Sequence, residues 1–410
     1  MLLLATAALA GCGEPYSDGP RVGYQPPVAP PPPFRPADAP PARGANKVTI
    51  LVPLTGSYAE LGQALLHAAQ LALPEGSLPA LDARDTAGTP EGAAAAAREA
   101  IAAGTGLILG PLTSAETAAV APVAREAGVA VLAFTNASAQ AQPGVWPLGI
   151  TPGQQVRRLM LAAQAQSKGR AAALLPDNDL GHAMSDALVL AASTLGLPAP
   201  EIRLHAPGMG AINSAARDLS GYGSRRGPID AQIKAARATN TPEGRKRAQE
   251  LAKSPIPPPP FDTLLLADGG EALAEIATVL PYYDVDHGAV QVIGPLQWAN
   301  PGSGSGNMQG AWYAAPDPAG RSALEQDYAA KFGGRPSPIA DLAFDAASVA
   351  RLLAGQGGFS IGALTRPSGF AGVDGWFTLL PDGEVRRGLS VFRIERGGAT
   401  MVEPAPGPGS

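Results

Sequence analysis

Lys47-Val48-Thr49-Ile50-Leu51-Val52-Pro53-Leu54-Thr55-Gly56-Ser57-Tyr58 is the stretch on which the fold turns. Its branched, mostly apolar residues read as a strand buried on both faces, and Thr55-Gly56 stops it. Apolar side chains then follow at Leu61, Leu65, Ala68, Ala69 and Leu73, close to the 3.6-residue helical period. The cycle returns with a helix over 90–103, a strand over 106–110, a helix over 114–127 and a strand over 129–134. Strand alternating with helix gives the α/β class, parallel sheets flanked by helices.

A second series starts near Pro152. It runs through a helix over 154–166, a strand over 170–176, a helix over 182–195 and strands over 201–204, 261–267 and 289–294. Two α/β lobes are therefore expected. Within the second lies a charged, helix-prone insertion over 221–260, with Lys234, Arg237, Arg245, Lys246 and Arg247. A strand over 311–315 precedes helices over 323–332 and 339–354. The end turns to strands over 375–380 and 388–394, joined through Asp382-Gly383, a hairpin signal. Residues 404–410 read as a disordered tail.

The 410 residues contain a single cysteine, Cys12, at the close of Leu9-Ala10-Gly11-Cys12. The preceding apolar run is too short to span a bilayer, which takes about 20 helical residues. Residues 1–11 resemble a bacterial lipoprotein signal peptide, which implies a lipid on Cys12; the usual basic residues ahead of the apolar run are missing. Residues 13–45 hold eleven prolines. Residues 12–45 read as a tether, and polyproline II would extend it to about 100 Å. No intramolecular disulfide or thiolate site remains. A net charge of −5 speaks against nucleic acid as a partner.

The run 50–58, together with Ile108-Leu109-Gly110-Pro111-Leu112-Thr113-Ser114 and Val131-Leu132-Ala133-Phe134-Thr135-Asn136-Ala137-Ser138, resembles the first lobe of type I periplasmic binding proteins. That resemblance implies a two-lobed fold with three interlobe crossings, expected near Thr151, Gly310 and Gly372. Lobe 1 is then 46–152 with 311–371, and lobe 2 is 153–310 with 372–403. The proline-rich start, the insertion, Tyr283-Asp284-Val285-Asp286 and Phe370-Ala371-Gly372-Val373-Asp374-Gly375 are similar to penicillin-binding protein activators of alphaproteobacterial type.

Each first-lobe loop joins the carboxyl end of a strand to a helix start, where ligands sit in open α/β sheets. Cleft candidates there are Ser57, Tyr58, Thr113, Ser114, Thr135, Asn136 and Ser138. Helix capping alone explains Ser and Thr at such positions equally well. In the second lobe the resemblance implies an aromatic before the glycine of Asp177-Asn178-Asp179-Leu180-Gly181, where leucine stands instead. It also implies an acid to hold an ammonium group, with Asp179 or Glu271, beside Gly270, as the candidates. Trp298 is offered as an apolar face of the cleft.

No phosphate loop, His-Glu-x-x-His helix or Gly-x-Ser-x-Gly elbow occurs, and no cofactor is called for. Gly302-Ser303-Gly304-Ser305-Gly306 reads as a flexible loop. The four histidines stand far apart and read as surface or capping residues. Two functions remain open. One is a non-enzymatic outer-membrane lipoprotein that activates a peptidoglycan synthase, with the basic insertion as a contact face. The other is the receptor of an ABC importer for a small polar solute.

Overall fold

A computed structural model describes residues 46–407 apart from His287. The expected signal peptide, Cys12, the expected tether and the last three residues lie outside the described residues.

The first lobe starts with β1 (Lys47–Val52), α1 (Ala59–Ala72), β2 (Ala80–Asp85), α2 (Pro90–Ala102), β3 (Leu107–Leu109), α3 (Ser114–Ala127), β4 (Ala130–Ala133) and β5 (Val145–Pro147). All five strands are parallel, in the order β2-β1-β3-β4-β5. Alternation along β1 divides two cores. Val48, Ile50 and Val52 face Leu65, Ala68 and Ala69 of α1, whereas Leu51 joins the buried alanines of α2 and α3. Each fully buried aliphatic side chain contributes about 1.5–3 kcal/mol. The edge strand β2 is half exposed and carries Asp82, Arg84 and Asp85, so it lacks the apolar run that marks its neighbours.

The second lobe follows with α4 (Pro152–Ala165), β6 (Ala171–Pro176), α5 (Asp179–Thr194), β7 (Glu201–His205), α6 (Met209–Leu219), α7 (Tyr222–Ala238), α8 (Pro242–Ala252), β8 (Thr263–Leu266), α9 (Gly270–Val279), β9 (Gln291–Gly294) and β10 (Trp312–Ala315). The chain then forms α10 (Ser322–Phe332), α11 (Ala340–Ala354), α12 (Ile361–Leu364), β11 (Phe370–Gly372), β12 (Gly375–Leu379), β13 (Val385–Arg387), β14 (Ser390–Glu395) and β15 (Gly398–Glu403). The second sheet is ordered β15-β14-β10-β9-β8-β6-β7, with β14 and β15 antiparallel. The insertion is a helical hairpin, α7 and α8, closed by Ile229, Ile233, Ala236, Ala248 and Leu251.

The lobe boundaries differ from the sequence expectation at two crossings. Strand β10 belongs to the second sheet, pairing Trp312 with Ile293, so the second crossing follows Ala315 rather than Gly310. Phe370, Phe377, Leu379 and Val385 are buried with α1 and α11, so β11, β12 and β13 complete the first lobe. The third crossing falls after Arg387, not near Gly372. Asp382-Gly383 does turn a hairpin, but β12 pairs with β13, while β14 leaves to join β10. The first crossing lies where expected, with Thr151 capping α4 in a reciprocal bond with Gln154. The tail is not wholly loose. Arg158 donates to the Pro404 carbonyl at 3.1 Å and the Ala405 amide to Ser390 Oγ at 3.0 Å.

Candidate functional site

On the first-lobe rim, Asp85 fixes the loop after β1. Its carboxylate accepts from the amides of Leu54 (2.8 Å), Thr55 (3.3 Å) and Ala87 (2.8 Å) and from Thr55 Oγ1 (2.6 Å). Burial opposes ionisation, but these bonds outweigh it and hold the carboxyl below its ordinary range. The loop so held leaves Ser57 and Tyr58 exposed.

The next two loops divide their candidates. Thr113 caps α3, accepting from the Glu116 amide, while the buried Glu116 carboxylate takes the Thr113 amide at 2.9 Å and Thr86 Oγ1 at 2.5 Å. Ser114, one residue into the helix, has no hydrogen-bond partner for its hydroxyl among the described residues. Thr135 is buried and closes its own turn by accepting from the Ala137 amide at 3.1 Å, while Asn136 and Ser138 are exposed. Thr113 and Thr135 are thus structural. Ser57, Tyr58, Ser114, Asn136 and Ser138 form the available rim.

On the second lobe, Asn178 caps α5 through the Gly181 amide at 2.9 Å, leaving Asp179 exposed. Asp177 pairs with His182 at 2.9 Å, and Leu180 turns toward the core. Glu271 and Gly270 are exposed at the start of α9. The strand-end loops therefore carry hydroxyls and an amide on the first lobe and carboxylates on the second.

Trp298 departs from expectation. It is 3% exposed, its ring lies against Gly294, and its Nε1 donates to the Asp268 carbonyl at 2.9 Å. A ring so committed is core and offers no face to a ligand. The loop after it is built rather than flexible: Ser303 and Ser305 hydroxyls share a 2.9 Å bond, and Ser305 donates to the Trp298 carbonyl at 2.9 Å. Gly304 has φ +78° and lies so close to Gly270 that an added Cβ would stand 2.7 Å from its carbonyl oxygen. Glycine is required there on both counts. His205 is likewise neither surface nor capping; it is buried, with Nε2 at 3.3 Å from Asp268 Oδ2. Residues 63 positions apart carry no local signal for that pair.

A family model for periplasmic binding proteins matches residues 46–399. The chain belongs to the periplasmic binding protein family. Family membership implies a periplasmic location. Among solved structures, a candidate branched-chain amino acid ABC transporter protein from Rhodospirillum rubrum is 18% identical with a TM-score of 0.66, covering 87% of this chain and 99% of its own. The C-domain of LpoA from Haemophilus influenzae, described as a regulator of PBP1A, is 16% identical with a TM-score of 0.62, at 87% and 99% coverage. Full-length LpoA from the same organism is 17% identical, and the match spans 59% of its length. At these identities the likeness is one of fold. Among curated proteins no sequence match is found.

This periplasmic binding protein carries its basic insertion away from the rim. α6 ends beside the starts of β6, β7 and β8, where Asp218, Leu219 and Gly221 line one shallow pocket with Ala171, Glu201 and Phe261. The α7–α8 hairpin is rooted there, at the end of the sheet opposite the rim loops. Arg225 roots it, donating to the carbonyls of Ser220 (2.8 Å), Pro257 (2.6 Å) and Tyr283 (2.6 Å). Those acceptors lie up to 58 residues away, so sequence reasoning missed the clasp. Lys234, Arg237, Arg245, Lys246 and Arg247 are all exposed and form no ion pair with a described residue. Among the described residues, no group of His, Cys, Asp and Glu is arranged to hold a metal ion.

Proposed function

We propose that this protein is a non-enzymatic envelope lipoprotein, anchored through Cys12 to the outer membrane, whose two-lobed domain activates a peptidoglycan synthase. The observation that carries the reading is the α7–α8 hairpin: cations without partners, presented at the end of the lobe opposite the rim. A surface there has no part in closing on a solute, whereas exposed charge steers and orients a macromolecular partner. The likeness to the LpoA C-domain supports the same direction. The proline-rich segment before residue 46 supplies reach.

A second reading, an importer receptor for a small polar solute, rests on the free hydroxyls of Ser57, Ser114 and Ser138. Leu180 in place of an aromatic and the commitment of Trp298 to the core weigh against its amino-acid form.

Crosslinked pull-down from cell envelopes separates the two. Recovery of a synthase by the wild type, and its loss when Lys234, Arg237, Arg245, Lys246 and Arg247 are all changed to Ala, supports activation. Recovery of importer subunits instead, with a thermal shift on adding amino acids or amides, overturns it.

A further inference from the structure

Six ionisable groups gather where the three crossings meet the first lobe. From α11 come Asp341 and Asp345; from the turn between β11 and β12, Asp374; from the end of β13, Arg387; from the second crossing, Arg321; and from α10, Glu325. Arg321 grips Asp341 with two bonds, the Nη2 to Oδ1 one at 3.0 Å, and reaches Glu325 at 3.1 Å. Asp374 is buried as well, and its charge acts on Asp341. Asp345 Oδ1 accepts from the Val373 amide at 2.7 Å. Glu325 is at the edge, while Asp341, Asp345, Asp374 and Arg387 are buried.

The cluster touches every crossing. Arg387 stands at the third and donates to the Leu148 carbonyl at the first, at 3.1 Å, as well as to the Asp374 carbonyl at 3.4 Å. Gly320, in the second, packs on the Val373 carbonyl next to Asp374.

Its charges do not balance. Three buried carboxyls face two guanidiniums, and the Arg387–Asp345 pair is held at 3.9 Å, too long for a hydrogen bond. Asp345 Oδ2 and Arg387 Nε are each buried without a hydrogen-bond partner. An uncompensated buried charge is costly, and one proton shared among the three carboxyls removes it. With that proton gone, like charges on α11 and on the β11–β12 turn repel. That repulsion favours separation of the elements that also hold the crossings.

We propose that this cluster is a proton-operated hinge latch: uptake of one proton by the Asp341–Asp345–Asp374 group ties the three crossings together, and its release loosens them, so the freedom of the lobes follows ambient pH. Burial, beyond what Arg387 offsets, pushes the Asp345 carboxyl up to about 7, which puts the transition near neutrality. Burial raises Asp341 and Asp374 in the same direction.

Hydrogen exchange on the full chain tests it, read on peptides spanning 146–151, 316–322 and 386–390 and corrected for intrinsic exchange. Opening is expected to be at least about threefold faster at about pH 8 than at about pH 6, since neutrality lies far above the ordinary Asp range. Asp345→Asn, which supplies a permanently neutral side chain, is expected to abolish most of that difference. Equal opening at both pH values in the wild type, or an undiminished difference in Asp345→Asn, overturns the latch. Should that variant fail to fold, carboxyl-carbon NMR of the wild type decides. One Asp titrating near neutrality supports the proposal, and all of them titrating below about pH 5, in the ordinary Asp range, overturns it.

Discussion

At the residue scale, Trp298 shows how far side-chain role depends on partners beyond the sequence. Its neighbours in the chain are turn residues, and an aromatic there reads more often as core than as a ligand platform without the sequence naming its partners. Packing against Gly294 and the bond to the Asp268 carbonyl decide the matter. Trp298→Ala is therefore expected to cost about 3–5 kcal/mol in denaturant unfolding. Ser114→Ala, which removes an unengaged rim hydroxyl, is expected to change stability by less than about 0.5 kcal/mol. A destabilisation by Trp298→Ala no larger than that of Ser114→Ala would contradict the core assignment. His205 adds a pH signature. Burial lowers its pKa, but the Asp268 hydrogen bond, the Ala206 carbonyl and the Asp268 charge together raise it above its ordinary value. A raised histidine contributes stability that is full below its unfolded pKa, about 6.5, and is lost as pH climbs through the folded value. The melting temperature is expected to fall as pH rises from about 6 to 8, less steeply in His205→Gln. A slope unchanged by the substitution would contradict this.

At the scale of elements, β1, β3 and β4 were legible because a parallel strand covered on both faces is a continuous apolar run. Edge strand β2 was not, since Asp82, Arg84 and Asp85 put charges on both of its faces. The start of α3 was legible through a Ser or Thr cap, although the signal read at Ser114 belonged to Thr113 one residue earlier. The α7–α8 hairpin was legible as a helix-prone, basic piece, but its anchorage was not, because Arg225 bonds to carbonyls from three separate segments. Arg225→Ala removes those bonds from a side chain 8% exposed. It is expected to raise limited proteolysis within 222–254 while leaving the first-lobe core intact. Cleavage rates equal to those of wild type would show that the hairpin's own small core is sufficient to hold it.

At the scale of the whole molecule, two lobes were legible from the order of strands and helices and three crossings from the family resemblance, but two of the crossings moved. The reason is physical: β10 and the β11–β13 sheet are apolar segments of similar character, and only the partner they bury against assigns them to a lobe. The rim was legible in part. Ser57, Tyr58, Asn136, Ser138, Asp179, Gly270 and Glu271 are exposed and Ser114 half-buried, whereas Thr113, Thr135 and Trp298 are spent on the fold. What remains is a domain whose basic insertion lies away from its rim. The most direct measurement is the rate of glycan polymerisation and crosslinking by purified envelope synthases with and without this protein. Several-fold acceleration by the wild type is expected, lost when the five hairpin cations become Ala although the melting temperature holds. No acceleration of any synthase, together with a melting temperature that climbs on adding a small polar solute, would contradict the account.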